Sequence, residues 1–283
     1  MHNMFVFTSV SNANPLSNWN VSNVTDMNHL FYGAKLANLN ALSSWDVSNV
    51  TNMSFMFYEG LSETNTSNGV VQNNITSPLT NIDGISNWNV SNVTDMTYMF
   101  ATLNASNLNA LSDWNVSKVK AMECMFKESK ITNVEGISNW NISNLNSMKF
   151  IFSQTPNLTS LHGLENWDTS NVTNMDSLFS LASSLSNIDA LSNWDTSKVT
   201  DMHGIFASTK IVNLNAISNW DVSKVTDMRY AFSRLNNLTD ASGINDWSIK
   251  KSCKFNYMFY ETNVNPTFTK VQGTWAAGTF IPS

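Results

Sequence analysis

The chain has 283 residues, of which 13% are charged, and carries a net charge of −6. Its Lys and Arg residues form no cluster, which argues against nucleic acid or an anionic membrane surface as partner, because phosphate binding wants a basic stripe. No run of 18 apolar residues could span a membrane, and no basic segment followed by an apolar stretch marks a signal peptide.

One unit of about 26 residues recurs along almost the whole chain. Trp stands at 19, 45, 88, 114, 140, 167, 194, 220 and 247, and each is followed twelve residues later by Phe, from Phe31 to Phe259. Met stands eight after Trp in eight of the nine units, and Phe255 takes that place in the ninth. Positions are numbered below from the Trp of each unit. The opening Met1-His-Asn-Met4-Phe5 fits the end of a unit, so the chain is expected to begin mid-repeat, as an incomplete or truncated chain would.

Within the first unit, Val24, Met27 and Phe31 recur at i, i+3 and i+7 beside Leu30, which predicts a short helix with Thr25 or Asp26 as its cap. The stretch Leu36 to Leu42 then alternates, with Leu39 and Ala41 inward and Asn38 and Asn40 outward, and predicts a short strand. The column of Ala41, Gly84, Ala110, Gly136, Ala190 and Ala216 implies a tight site with no room for larger side chains. Residues 58–78 hold an insertion of about 17 residues rich in Ser, Thr, Asn, Gly and Pro, read as a surface loop. In the last unit Lys250, Ser252, Cys253 and Phe255 replace the usual residues, so 248–283 is read as a degenerate capping region. One strand and one helix per unit, repeated, predict an α/β solenoid of the leucine-rich-repeat-like kind over 1–283, with about nine repeats and right-handed crossovers. Cys124 and Cys253 lie five units apart, roughly 24 Å at ~4.8 Å per unit, too far for a disulfide, so both are expected to be free thiols.

The string Trp45-Asp-Val-Ser-Asn-Val-Thr-Asn-Met-Ser-Phe-Met-Phe57, followed by a Leu-rich segment and repeated nine times, resembles the BspA-type leucine-rich-repeat surface proteins of bacteria, abundant in mycoplasmas and lactobacilli. The resemblance implies a secreted protein, held at the cell surface as a lipoprotein or by wall anchoring, with an adhesion-type role. The sequence itself shows no export signal, lipidation cysteine or wall-sorting motif, so a surface location rests on the resemblance alone.

No residues with metal-ligand spacing are found, and no cofactor is expected. The histidines, His2, His29, His162 and His203, read as solvent-exposed. The aspartates that follow Trp or precede Met recur in fixed columns and read as turn and capping residues rather than as a glycosidase pair. Seven before Trp stands a mostly Asn column, expected to stack amide on amide along the repeat. Five before Trp stand Asn40, Asp83, Asn109, Glu135, His162, Asp189 and Asn215, polar but varied, which makes the outer sheet face the first choice of contact surface. Position 10, with Phe55, Tyr98, Phe150, Tyr230 and Tyr257, is the second choice, on the helix side away from the core. The expected function is non-catalytic: adhesion to, or binding of, a host protein or glycan. The alternatives are a spacer or antigenic stalk that binds nothing, and a polysaccharide-acting solenoid enzyme, for which no confined Asp, Arg or His cluster is visible.

Overall fold

The computed structural model describes residues 1–60 and 77–283, so most of the insertion at 58–78 lies outside the described residues. Successive units stack, and each contributes two segments of backbone that meet the same segments of its neighbours.

The first segment runs from position 8 to position 14, where the sequence predicted a helix. Among the described residues no α-helix forms. Instead, alternate amides point in different directions. Met27, His29, Phe31 and Gly33 donate to the carbonyls of Asn52, Ser54, Met56 and Tyr58 in the next unit, at 2.9–3.0 Å. Between them, Leu30, Tyr32 and Ala34 donate back to Met27, His29 and Phe31, closing four-residue turns. Closing a turn between each pair of such amides takes the backbone into the left-handed region at intervals. Position 10 accordingly has φ of 54–59° in all nine units, from His29 to Tyr257, and position 14 is also positive in seven of the eight units from Gly33 to Arg234. The i, i+3, i+7 apolar spacing that suggests a helix is produced here by turns whose inward positions are 5, 8, 11 and 12.

The second segment, predicted as a strand, is a one-turn 3-10 helix: Asn40–Leu42, Asn109–Leu111 and Asn215–Ile217 are examples. The residue two places ahead explains it. Asn38 accepts a hydrogen bond from the Asn40 amide, and the same residue does so in every unit from Asn12 to Asp240, with Ser160 in one of them. The Asn column is therefore structural, but through a local turn and not through an amide ladder. Parallel pairing between units is reduced to isolated bridges such as Asp26 to Asn52 and Asn38 to Asn81. The Ala and Gly column is as tight as expected: a Cβ on Gly136 would lie 2.3 Å from the Leu108 carbonyl of the neighbouring unit.

Each Trp from Trp45 to Trp247 donates its indole N–H to a carbonyl of the preceding unit, as Trp140 does to Leu111 at 3.0 Å. The ring stays buried because its one polar atom is satisfied. Beside it the position-12 phenylalanines stack face to face from Phe5 to Phe259, with centroids 5.0–6.1 Å apart. At the far end the antiparallel strands β1 (Gly273–Ala276) and β2 (Thr279–Pro282) form a hairpin. Its Gly278 carbonyl and Thr279 hydroxyl accept from the amides of Phe259 and Tyr257, the same two positions that elsewhere donate to a following unit. Both cysteines are free and buried.

Phe126 touches rings in both neighbouring units and is fully buried. Phe126→Ala is expected to cost about 3–5 kcal/mol, as other large core truncations do. Chemical denaturation reads this directly, and a loss below about 1 kcal/mol would reject the ladder as a source of stability.

Candidate functional site

The polar row of the sequence analysis becomes a row of helix starts. Asn40, Asp83, Asn109, Glu135, Asp189 and Asn215 are each the first residue of a 3-10 helix, and all are exposed. His162 is also exposed but sits two residues ahead of Leu164–Asn166, because Gly163 at φ 106° displaces the turn. The row thus lies on consecutive turns and not on a sheet face. Some of its members are occupied locally: Asp83 and Asp189 accept from Asn81 and Asn187, and His162 pairs with Glu165 at 2.9 Å. A recess of about 530 Å³ lies at His162, Glu165 and Asp189.

The aromatic column stands on the left-handed residues of position 10, not on a helix. Its N-terminal members stack on one another: His29 on Phe55 at 4.4 Å, and Phe55 on Tyr98 at 4.7 Å. Tyr32 and Tyr58, at position 13, fill the space alongside. Further on the column changes. Lys149 lies over the ring of Phe150 at 5.1 Å, then Ser177 and Gly204 carry no ring, and Tyr230 stacks on Tyr257 at 5.3 Å. Position 13 is also small here, with Ser180, Ala207 and Ser233. The result is a recess of about 630 Å³, within the usual range for ligand pockets of roughly 300–1,000 Å³. Leu181, His203, Tyr230, Arg234 and Tyr257 are among its walls.

A charge network at the edge of this recess was missed from sequence. Asp176 is buried and accepts from Ser177 Oγ at 2.7 Å, and it pairs with Lys149 Nζ at 2.8 Å and His203 Nδ1 at 3.0 Å. The signal was present: position 9 reads Lys149, Asp176, His203 and Arg229 in successive units, so stacking must bring opposite charges together. His203, in this network, and His29, stacked on Phe55, are half-buried and engaged, against the expectation of four solvent-exposed histidines; His2 and His162 are exposed. The aspartates that follow Trp hold the amide two residues on, as Asp195 holds Ser197 at 2.9 Å, and these hydrogen bonds keep their carboxyls below the usual range. Among the described residues no group of three or more His, Cys, Asp or Glu is placed to hold a metal ion.

Burial works to raise the Asp176 carboxyl, but hydrogen bonds from His203, Lys149 and Ser177 outweigh it and hold the group at about 2. The hydrogen bond to Asp176 raises the His203 imidazole above its ordinary 6.5, against the effect of burial. The two contributions have opposite signs in pH. That of Asp176 is complete above 3.8 and is lost as pH falls towards about 2. That of His203 is complete below 6.5 and is lost as pH rises through its raised value. The thermal midpoint of the parent should therefore exceed that of Asp176→Asn most between pH 3.8 and 6.5, with the gap narrowing on either side. A gap that does not change from pH 3 to 9 would show that the network carries no charge-dependent stability.

No helix among the described residues is long and apolar enough to cross a membrane. No curated protein matches the chain at significant similarity. A family model matches it three times, over residues 1–77, 68–185 and 154–275, so that nearly the whole chain is covered. The chain therefore belongs to the repeat family described as Mycoplasma protein of unknown function, DUF285.

Proposed function

We propose that the chain is a non-catalytic binding scaffold of a bacterial cell surface: a leucine-rich-repeat-like solenoid, akin to the BspA type, that adheres to a host protein or glycan. The observation that carries this reading is the division of labour within each unit. Trp, position 8 and position 12 are buried and almost invariant in every described unit after the first. Position 10 meanwhile varies among His, Phe, Tyr, Cys, Ser and Gly on one unchanging backbone. Such a scaffold is rigid before it binds, which lowers the ordering cost of association. Membership of a Mycoplasma repeat family supports a bacterial origin. The surface location and the adhesive role are inferences from the resemblance to surface repeat proteins.

The face we assign to binding is the position-10 column, because its rings give way to a recess lined by both aromatic and polar side chains. The exposed row of Asn40 to Asn215 is the second reading, favoured by the recess at His162 and Asp189.

Two triple variants separate these faces in an adhesion assay on cultured host cells, with circular dichroism as the check of folding. Tyr98→Ala, Phe150→Ala and Tyr230→Ala together should reduce adhesion at least tenfold. Asp83→Ala, Glu135→Ala and Asp189→Ala together should leave it within about twofold of the parent. The reverse pattern would move the contact to the polar row. A parent chain that never adheres would leave the spacer reading.

A further inference from the structure

Rings in the position-10 column stack at 4.4–5.3 Å where they are consecutive. Ser177 and Gly204 leave two consecutive places of that column without a ring, next to Tyr230. Tyr230 stacks on Tyr257, the ring of His203 lies at 76° to it with centroids 5.8 Å apart, and Gly204 lines the same recess. Tyr230 and Tyr257 are 39% and 42% exposed, unusual for rings of this size.

The backbone does not require these places to be small. Gly204 has φ 55°, and Phe55, Tyr98, Phe150 and Tyr230 take φ of 57–59° with full side chains. Glycine is the least strained residue at such an angle, yet eight of the nine units do without it. Little stands in the way: a Cβ built on Gly204 meets only the Ser177 hydroxyl closely, at 3.2 Å, and that side chain would have to give by a few tenths of an ångström. The missing rings are thus a feature of the surface and not a demand of the fold.

What the space would accept follows from its walls. The two ionisable side chains lining it other than tyrosine already have carboxylate partners, His203 in Asp176 and Arg234 in Glu261 at 2.9 Å. Neither is an unpartnered charge waiting for an ionic ligand. The remaining polar lining is serine: Ser177, Ser180, Ser208 and Ser233. Serine hydroxyls both donate and accept, as sugar hydroxyls do. A flat ring with one apolar face, bordered by hydroxyls and about as thick as one step of the column, completes the arrangement. We infer that a pyranose ring of a neutral glycan occupies the gap left by Ser177 and Gly204, with its C–H face stacked on Tyr230 and its hydroxyls towards the serines. This rests on the binding-scaffold reading and gives it a ligand class.

The test fills the gap. Maltohexaose, cellohexaose, chitohexaose and a lactosamine hexasaccharide are offered to the parent, and binding is read by saturation-transfer NMR. A tyrosine-containing peptide of similar length is included. At least one saccharide should bind, and both Gly204→Tyr and Tyr230→Ala should weaken it at least tenfold. Gly204→Tyr should retain the parent's circular dichroism spectrum, since it completes the ring column. Were it not to fold, Ser177→Tyr carries the same test. The inference is overturned if no saccharide binds, if the filled variant binds as the parent does, or if only the peptide binds. Host-cell adhesion measured in parallel separates the two levels. A parent that adheres without binding any saccharide sinks the glycan assignment and leaves the scaffold; a parent that does neither sinks both.

Discussion

Everything in this molecule depends on the comb of amides at positions 8, 10, 12 and 14. In most units these aim along the stack at carbonyls of the next unit. Once these hydrogen bonds set the register, equivalent side chains must lie one above another. The phenylalanine stack, the indole-to-carbonyl bonds and the alternating charges of Lys149, Asp176 and His203 are consequences of that register. The cost is conformational. Position 10 is left-handed throughout, an unfavourable setting for bulky residues such as Phe150 and Tyr230. It is borne because comb amides of interior units, such as those of Cys124, Phe126 and Glu128, find carbonyl partners, and an unpaired buried amide would cost more.

This explains how much of the fold the sequence revealed. The strict Trp-to-Phe interval identified the buried columns, because packing constrains side chains by their place in the unit whatever the backbone does between them. Leu39 was legible as core and Asn38 as structural for the same reason, whereas Leu42, which strand parity would turn outward, is buried and Ala41 only partly so. The secondary structure was not legible. Apolar residues three and four apart signal one face of a helix, but turns closed by bonds such as Leu30 to Met27 reproduce that spacing over a single cycle. The alternation around Leu39 and Ala41 mimicked a strand in the same way, while the Asn38 side chain was already committing the chain to a 3-10 turn.

The candidate site was partly legible. Position 10 stood out as an aromatic column, but its importance appears only where the rings stop. Reading Ser177 and Gly204 as gaps requires knowing that the column stacks and that its backbone is shared. The charge network followed from reading position 9 down the repeats instead of along the chain. In a stacked protein, the informative sequence is the column: neighbours in space are about 26 residues apart, and local motifs describe only how each turn closes.

The most direct test of the account is amide hydrogen exchange in the central units. Cys124, Phe126 and Glu128 donate to Lys149, Ile151 and Ser153 at 2.9–3.1 Å, and these bonds can open only if two units part. Their amide protons should therefore exchange at the rate of global unfolding, with a free energy equal to that from denaturant titration. Glu128 is the most telling of the three, since its side chain is partly exposed and only the inter-unit bond shields its amide. Exchange of these three amides within minutes, in a protein that remains folded by circular dichroism, would contradict the account.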